Sequence, residues 1–228
     1  MSDSGSILSL SSRQKAIWVF AFAAAMAYLE AAVVVYLRAI FYPDGFDFPL
    51  ALGPTSVIII ELGREAATIL MLIAIAILCG RSKIERFAYL LYAFGLWDIM
   101  YYVWLKVQIG WPPSLLTWDI LFLIPLPWVG PVLAPVLVST AMILAALWII
   151  NREDRGATPV FPRWAWWAEI LAGIIIILSF IWDASNVSAG GYPNPFHWEI
   201  FCLGLLGGLA IFVRLMQPTV PKRSGGRG

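Results

Sequence analysis

Ile58-Ile-Ile-Glu61-Leu-Gly-Arg64-Glu65-Ala-Ala-Thr68-Ile-Leu70 lies in an apolar run long enough to cross a bilayer, yet it carries three formal charges. Glu61, Arg64 and Glu65 stand at i, i+3 and i+4, so they share one face of a helix. A charge at the centre of a membrane helix costs roughly 2.5–3.5 kcal/mol on insertion scales. Such side chains face protein rather than lipid, so this helix needs neighbours to cover its polar face. The stretch therefore predicts a bundle of several spans with an internal polar site.

Composition agrees. The chain of 228 residues is 61% hydrophobic and 13% charged, with a mean hydropathy of +0.83. A soluble domain carries about 25% charged residues. The formal net charge is +1, with no basic face interleaved with aromatics, which argues against a nucleic-acid partner. The two cysteines, Cys79 and Cys202, fall in different spans and make neither a metal framework nor an expected disulfide.

Outward from the charged stretch, the expected fold is an all-α integral membrane protein, a six-transmembrane-helix bundle. Residues 1–15 are polar and precede an uncleaved first span at about Ile17–Ile40; a signal-peptide core would be shorter, about 7–15 residues. The second span covers about Thr55–Cys79 and the third about Ile84–Val107. Trp111-Pro-Pro113 breaks the chain. From Leu115 to Ile150 the sequence is apolar for roughly 36 residues, more than the ~17–25 of one span. Pro125, Pro127, Pro131 and Pro135 crowd its first half. The reading is a Pro-rich re-entrant or interfacial segment, Trp118–Trp128, before a fourth span from about Pro131 to Ile150. Trp164–Trp182 and Phe196–Leu215 complete the six. Residues 16–215 thus form a single membrane domain, and 216–228 a basic, Gly-rich tail expected to be disordered. Gly204 and Gly208, four apart, offer a small-residue face for close helix contact or, as a weaker reading, for an oligomer.

Twelve of the fifteen Lys and Arg residues fall on one side of this topology; Arg38, Arg64 and Lys106 are the exceptions. The positive-inside rule then predicts cytoplasmic termini, in a bacterial cytoplasmic (inner) membrane. Glu30, Glu61, Arg64, Glu65 and Asp98 accordingly fall in the outer half, with Asp119, Asp183, His197 and Glu199 at the outer interface. The inner halves are read as nearly free of charge. Seven acids face three bases in this outer layer, so the excess must be protonated, hydrated or balanced by a cation.

The expected site follows. Asp98, Glu65 and Tyr101 are the candidates for acid–base chemistry; Glu30, Glu61, Arg64, Tyr102, Asp119 and His197 are candidate ligand-binding residues. One histidine cannot supply a two-histidine haem or a multi-histidine metal site, and the resident metal and cofactor stay unassigned. No H-E-x-x-H, G-x-S-x-G or P-loop occurs. The expectation is an acidic pocket open to the outer face, binding a cation or small ligand or doing acid–base chemistry there. The alternatives are a proton- or cation-coupled carrier and a non-catalytic subunit of a membrane complex. An apolar inner half argues mildly against a carrier, which needs an inner exit.

Overall fold

The computed structural model describes residues 10–217, apart from Leu52, Pro125 and Thr158. The proposed disordered tail lies almost wholly outside the described residues. The chain is mostly helical: α1 (Ser12–Phe41), α2 (Thr55–Cys79), α3 (Lys83–Ile109), α4 (Leu133–Asp154), α5 (Arg163–Ile181), the short α6 (Ala184–Ser188) and α7 (Trp198–Met216). Among the described residues, five helices are long and apolar enough to cross a membrane: α1, α2, α4, α5 continued through α6, and α7. The 27-residue α3 is not among them; it carries Lys83, Glu85, Arg86, Asp98 and Lys106. Large apolar side chains stand exposed on the outer faces of the five, among them Leu29, Leu70, Leu144 and Trp167. In water such a surface would be unfavourable; against lipid tails it is not.

α3 occupies the middle, packed along α1, α2 and α4. Its closest approach is to α4. A Cβ on Gly95 would sit 2.6 Å from the Ser139 carbonyl oxygen, so only glycine admits this crossing. The core between these helices is built from Val19, Ala23, Leu72, Ala76, Tyr89, Ala93 and Ile149. α5 and α7 form a second pair, with Gly204 and Gly208 buried against Ala172 and Ile176 of α5. The small-residue face thus makes a close contact inside the chain: helices meet closely wherever Cβ atoms are missing, and the partner here is α5.

The Pro-rich segment is a β-hairpin. β1 (Trp118–Phe122) pairs antiparallel with β2 (Trp128–Pro131), Asp119 opposite Gly130 and Ile120 opposite Val129, with an irregularity between Ile120 and Phe122. The all-helical expectation misses these two strands. Proline periodicity excludes helix but does not choose between an irregular loop and a hairpin. Aromatic packing holds the hairpin to the α5–α7 pair: Trp128 stacks on Phe180, which also meets Phe196 and Phe201.

At one end of the bundle the N-terminus of α1, the α2–α3 link and the C-termini of α4 and α7 meet. Lys15 Nζ donates to the Cys79 carbonyl at 2.7 Å and lies 3.5 Å from Glu85 Oε1. Ser12 donates to Asp154, Ser82 to Glu153, and Arg152 to the Met216 carbonyl. Lys15 and Glu85 are buried, so this end is not free of charge as the sequence reading has it. The cause is local. Ser11 and Gln14 form a capping box that starts α1 at Ser12, so Lys15 lies inside the first turns rather than in a polar leader.

Candidate functional site

The opposite end holds a cavity of about 170 Å³ walled by α1, α2, α3, the α1–α2 loop and the hairpin. Periodicity places its charges. Glu30, Val34, Leu37, Arg38 and Phe41 recur at three- and four-residue spacing down one face of α1. Glu61, Arg64 and Glu65 do the same on α2, and Trp97, Asp98, Tyr101 and Tyr102 on α3. Asp119 and Leu123 arrive from the hairpin, which only tertiary folding brings over the helix ends.

Two arginines organise the acids. Arg64 pairs with Glu30 across the α1–α2 contact and with Glu61 one turn away, its Nε and Nη2 at 2.8 and 2.7 Å from Glu61 Oε2. Thr68 Oγ1 donates to the other oxygen of Glu30 at 3.2 Å. Arg38 donates through Nη2 to Asp119 Oδ1 at 2.8 Å. Its guanidinium sits by two rings that stand nearly perpendicular to each other, 3.8 Å from the centre of Trp111 and 4.4 Å from that of Phe46. This cation–π seat and the α1 C-terminus both favour a positive charge there.

Glu65 accepts the Leu123 N–H on both oxygens, at 2.9 and 3.1 Å, and so anchors the hairpin tip to α2. Asp98 Oδ2 accepts from Ser139 of α4 at 2.8 Å. Asp119 is nearly inaccessible, and its burial lifts the carboxyl to about 6, the Arg38 charge pulling the other way. Among the lining residues, Arg38 Nη1 and Trp97 Nε1 are buried without a hydrogen-bond partner, while the Tyr102 hydroxyl donates to the Asp119 carboxyl. Five carboxyls face two guanidiniums around the cavity.

No family model, curated protein or solved structure matches the chain. The site must be read from its own geometry.

The structure brings Glu30, Glu61, Arg64, Glu65, Asp98, Tyr101, Tyr102 and Asp119 to this one cavity. His197 is not with them. Its Nδ1 lies 2.7 Å from Glu199 Oε1 and its ring packs on Trp182, at the start of α7. It belongs to the α5–α7 pair, which does not wall the cavity; interface depth alone does not determine which side of a bundle a residue occupies. Three further charges of the outer layer also have local work. Lys106 donates to the Gly110 and Pro112 carbonyls and closes the end of α3. Asp183 accepts from the Asn194 N–H, the Asn194 side chain and Asn186, pinning the loop before α7. Glu199 is taken by His197.

Sequence reasoning counts Arg38 in the layer without placing it in the site, and misses Trp97, Trp111 and Ser139. An arginine in the last turn of α1 and tryptophans fifteen residues and one residue before the proline pair at Pro112 carry no signal of convergence until the hairpin folds over them. Among the described residues no group of three or more His, Cys, Asp or Glu side chains gathers closely enough to hold a metal ion.

Proposed function

We propose that this protein is a six-span membrane protein which binds a small polar ligand bearing a positive group in the acidic cavity, with both termini in the cytoplasm and the cavity open to the outer face of a bacterial inner membrane. One observation carries the reading: five carboxyls and two arginines line a single cavity, and Arg38 and Trp97 each keep a buried polar atom without a partner. A group of this kind is costly to bury unless something hydrogen-bonds to it. A ligand offering acceptors to both Arg38 and Trp97 would satisfy the two. The acid excess favours a net positive charge on it. Asp98 supplies a carboxyl held by Ser139, Tyr101 and Tyr102 its flanks, and Glu30, Glu61 and Arg64 the charge that frames the mouth.

The geometry favours binding over the alternatives. The hydrogen bonds on Glu65 give it a positioning role rather than that of a free base. A carrier would need an exit at the other end, and the packed core with the Lys15–Glu85 clamp stands in the way. α3 as a sixth span follows from its length and its central place between α1, α2 and α4, since a lipid-shielded helix needs less apolar surface than one facing the bilayer.

Two measurements test this. A reporter fused to the C-terminus and active only in the cytoplasm is expected to be active; activity of a periplasmic reporter alone refutes the orientation and the outer-facing cavity with it. Among small amines and amino-acid-like compounds screened by thermal shift, a stabilising ligand is expected. Asp98→Asn should weaken its binding by about 30-fold or more, the ~2 kcal/mol lower bound for losing one partner of a buried charge pair, while the unliganded protein melts near the wild-type temperature. Equal binding by wild type and Asp98→Asn removes Asp98 from the site.

A further inference from the structure

Glu169 is the one carboxyl of α5 and lies in its first half, about 9 Å from the start of the helix at ~1.5 Å per residue. It does not belong to the acidic cavity. It opens instead into a crevice of about 280 Å³ between the α3–α4 and α5–α7 helix pairs. Among the described residues, Glu169 is the only ionisable one lining this crevice, and the remainder is apolar or aromatic apart from the Trp166 indole. Its Oε1 is buried without a hydrogen-bond partner. Gly208, on α7, makes room for the carboxyl: a Cβ there would lie 3.1 Å from Glu169 Oε2.

Beside the acid stands an aromatic wall. Trp166 meets Phe87 at 5.1 Å and Phe161 at 5.5 Å between ring centres, and Phe161 stacks on Phe212 at 6.4 Å. A carboxylate alone in apolar surroundings is unfavourable without a counter-charge, and no basic residue lines the crevice to provide one. Aromatic faces attract cations and repel anions. The two features select the same occupant.

We propose that this crevice is a second binding site, separate from the acidic cavity, for a lipophilic organic cation: a positive charge carried in an apolar or aromatic body. The carboxylate of Glu169 balances the charge and the four aromatic rings receive the body. In this proposal the molecule enters between the helix pairs from the bilayer, where such molecules concentrate.

The test uses the full chain in nanodiscs of phosphatidylcholine, a lipid without net charge, and radiolabelled tetraphenylphosphonium as the probe. Saturable binding is expected, with Glu169→Gln weakening it at least tenfold. Ala145→Phe, which fills the crevice from the α4 side and leaves the carboxyl in place, should weaken it similarly. Glu61→Gln, in the acidic cavity, should leave it unchanged. Monodisperse elution and a cooperative melt qualify each variant as folded. The proposal is overturned by the absence of saturable binding to the wild type, by wild-type affinity in both Glu169→Gln and Ala145→Phe, or by loss of binding in Glu61→Gln alone. A failure of either kind leaves the ligand of the acidic cavity unaffected, since that site is read by thermal shift and Asp98→Asn.

Discussion

Arg64→Leu is expected to destabilise the folded protein by about 3–5 kcal/mol, the usual result of removing one partner from a buried ion pair. Arg64 is the single positive group between Glu30 of α1 and Glu61 of α2, so the substitution leaves two facing carboxylates without their counter-charge. The melting temperature in detergent should fall on the order of 10 °C, and the yield of monodisperse protein should fall with it. Lysine at the same position restores charge but not the forked geometry that reaches both partners, and should recover only part of the loss. Adding Glu61→Gln to Arg64→Leu should also recover part, because it removes a charge the lost arginine had balanced. A melting point unchanged in Arg64→Leu would show that the cluster is hydrated enough to need no counter-ion, and the framing role assigned to Arg64 would fail.

The second large effect is expected at Arg38. This residue holds the hairpin to α1 through Asp119 and is itself packed against Trp111 and Phe46. Arg38→Leu keeps much of the packing but leaves Asp119 buried and unpaired, again about 3–5 kcal/mol. The loss should depend on pH in a stated direction. The Asp119 carboxyl is already lifted to about 6 with Arg38 present, and lifts further without it. Below that value the carboxyl protonates and the uncompensated charge disappears. Arg38→Leu should therefore be less destabilised at pH 5 than at pH 8, measured as the difference from wild type at each pH. The double substitution Arg38→Leu with Asp119→Leu should be more stable at pH 8 than Arg38→Leu alone. Hydrogen exchange of residues 118–131 gives an independent readout: protection should drop in the single variant, since the hairpin loses one of its two polar anchors and keeps the Glu65–Leu123 bonds. A pH-independent loss would assign the role of Arg38 to stacking rather than to charge.

These two residues also mark the limit of what the sequence discloses. Arg64 is legible because its partner Glu61 lies on the same helix turn and both stand in an apolar run, where charge has no local reason to be. Arg38 is not legible in the same way. It sits at the end of a helix, where a basic residue is ordinary, and its partner is eighty-one positions away on a strand. Lys15 misleads for a related reason. It precedes the apolar run and looks like a solvated flank, but the capping box at Ser11 draws it into the helix and the packing buries it. Glu169 passes unread among apolar neighbours because a lone acid has no periodic partner to draw attention to it.

What the sequence by itself determined is the set of apolar helices, the breaks between them, and the gathering of Glu30, Glu61, Arg64, Glu65, Asp98, Tyr101, Tyr102 and Asp119 toward one end. Apolar run length, proline and helical spacing are local quantities, and charge depth follows from position within a run. The tertiary structure alone decided that the proline-rich segment is a hairpin, that it closes the cavity through Arg38 and Glu65, that His197 stands apart, and that Gly204 and Gly208 face α5. Each depends on which helices become neighbours. Side-chain volume, glycine gaps and aromatic packing between distant segments set that choice, and none of them is periodic along the chain.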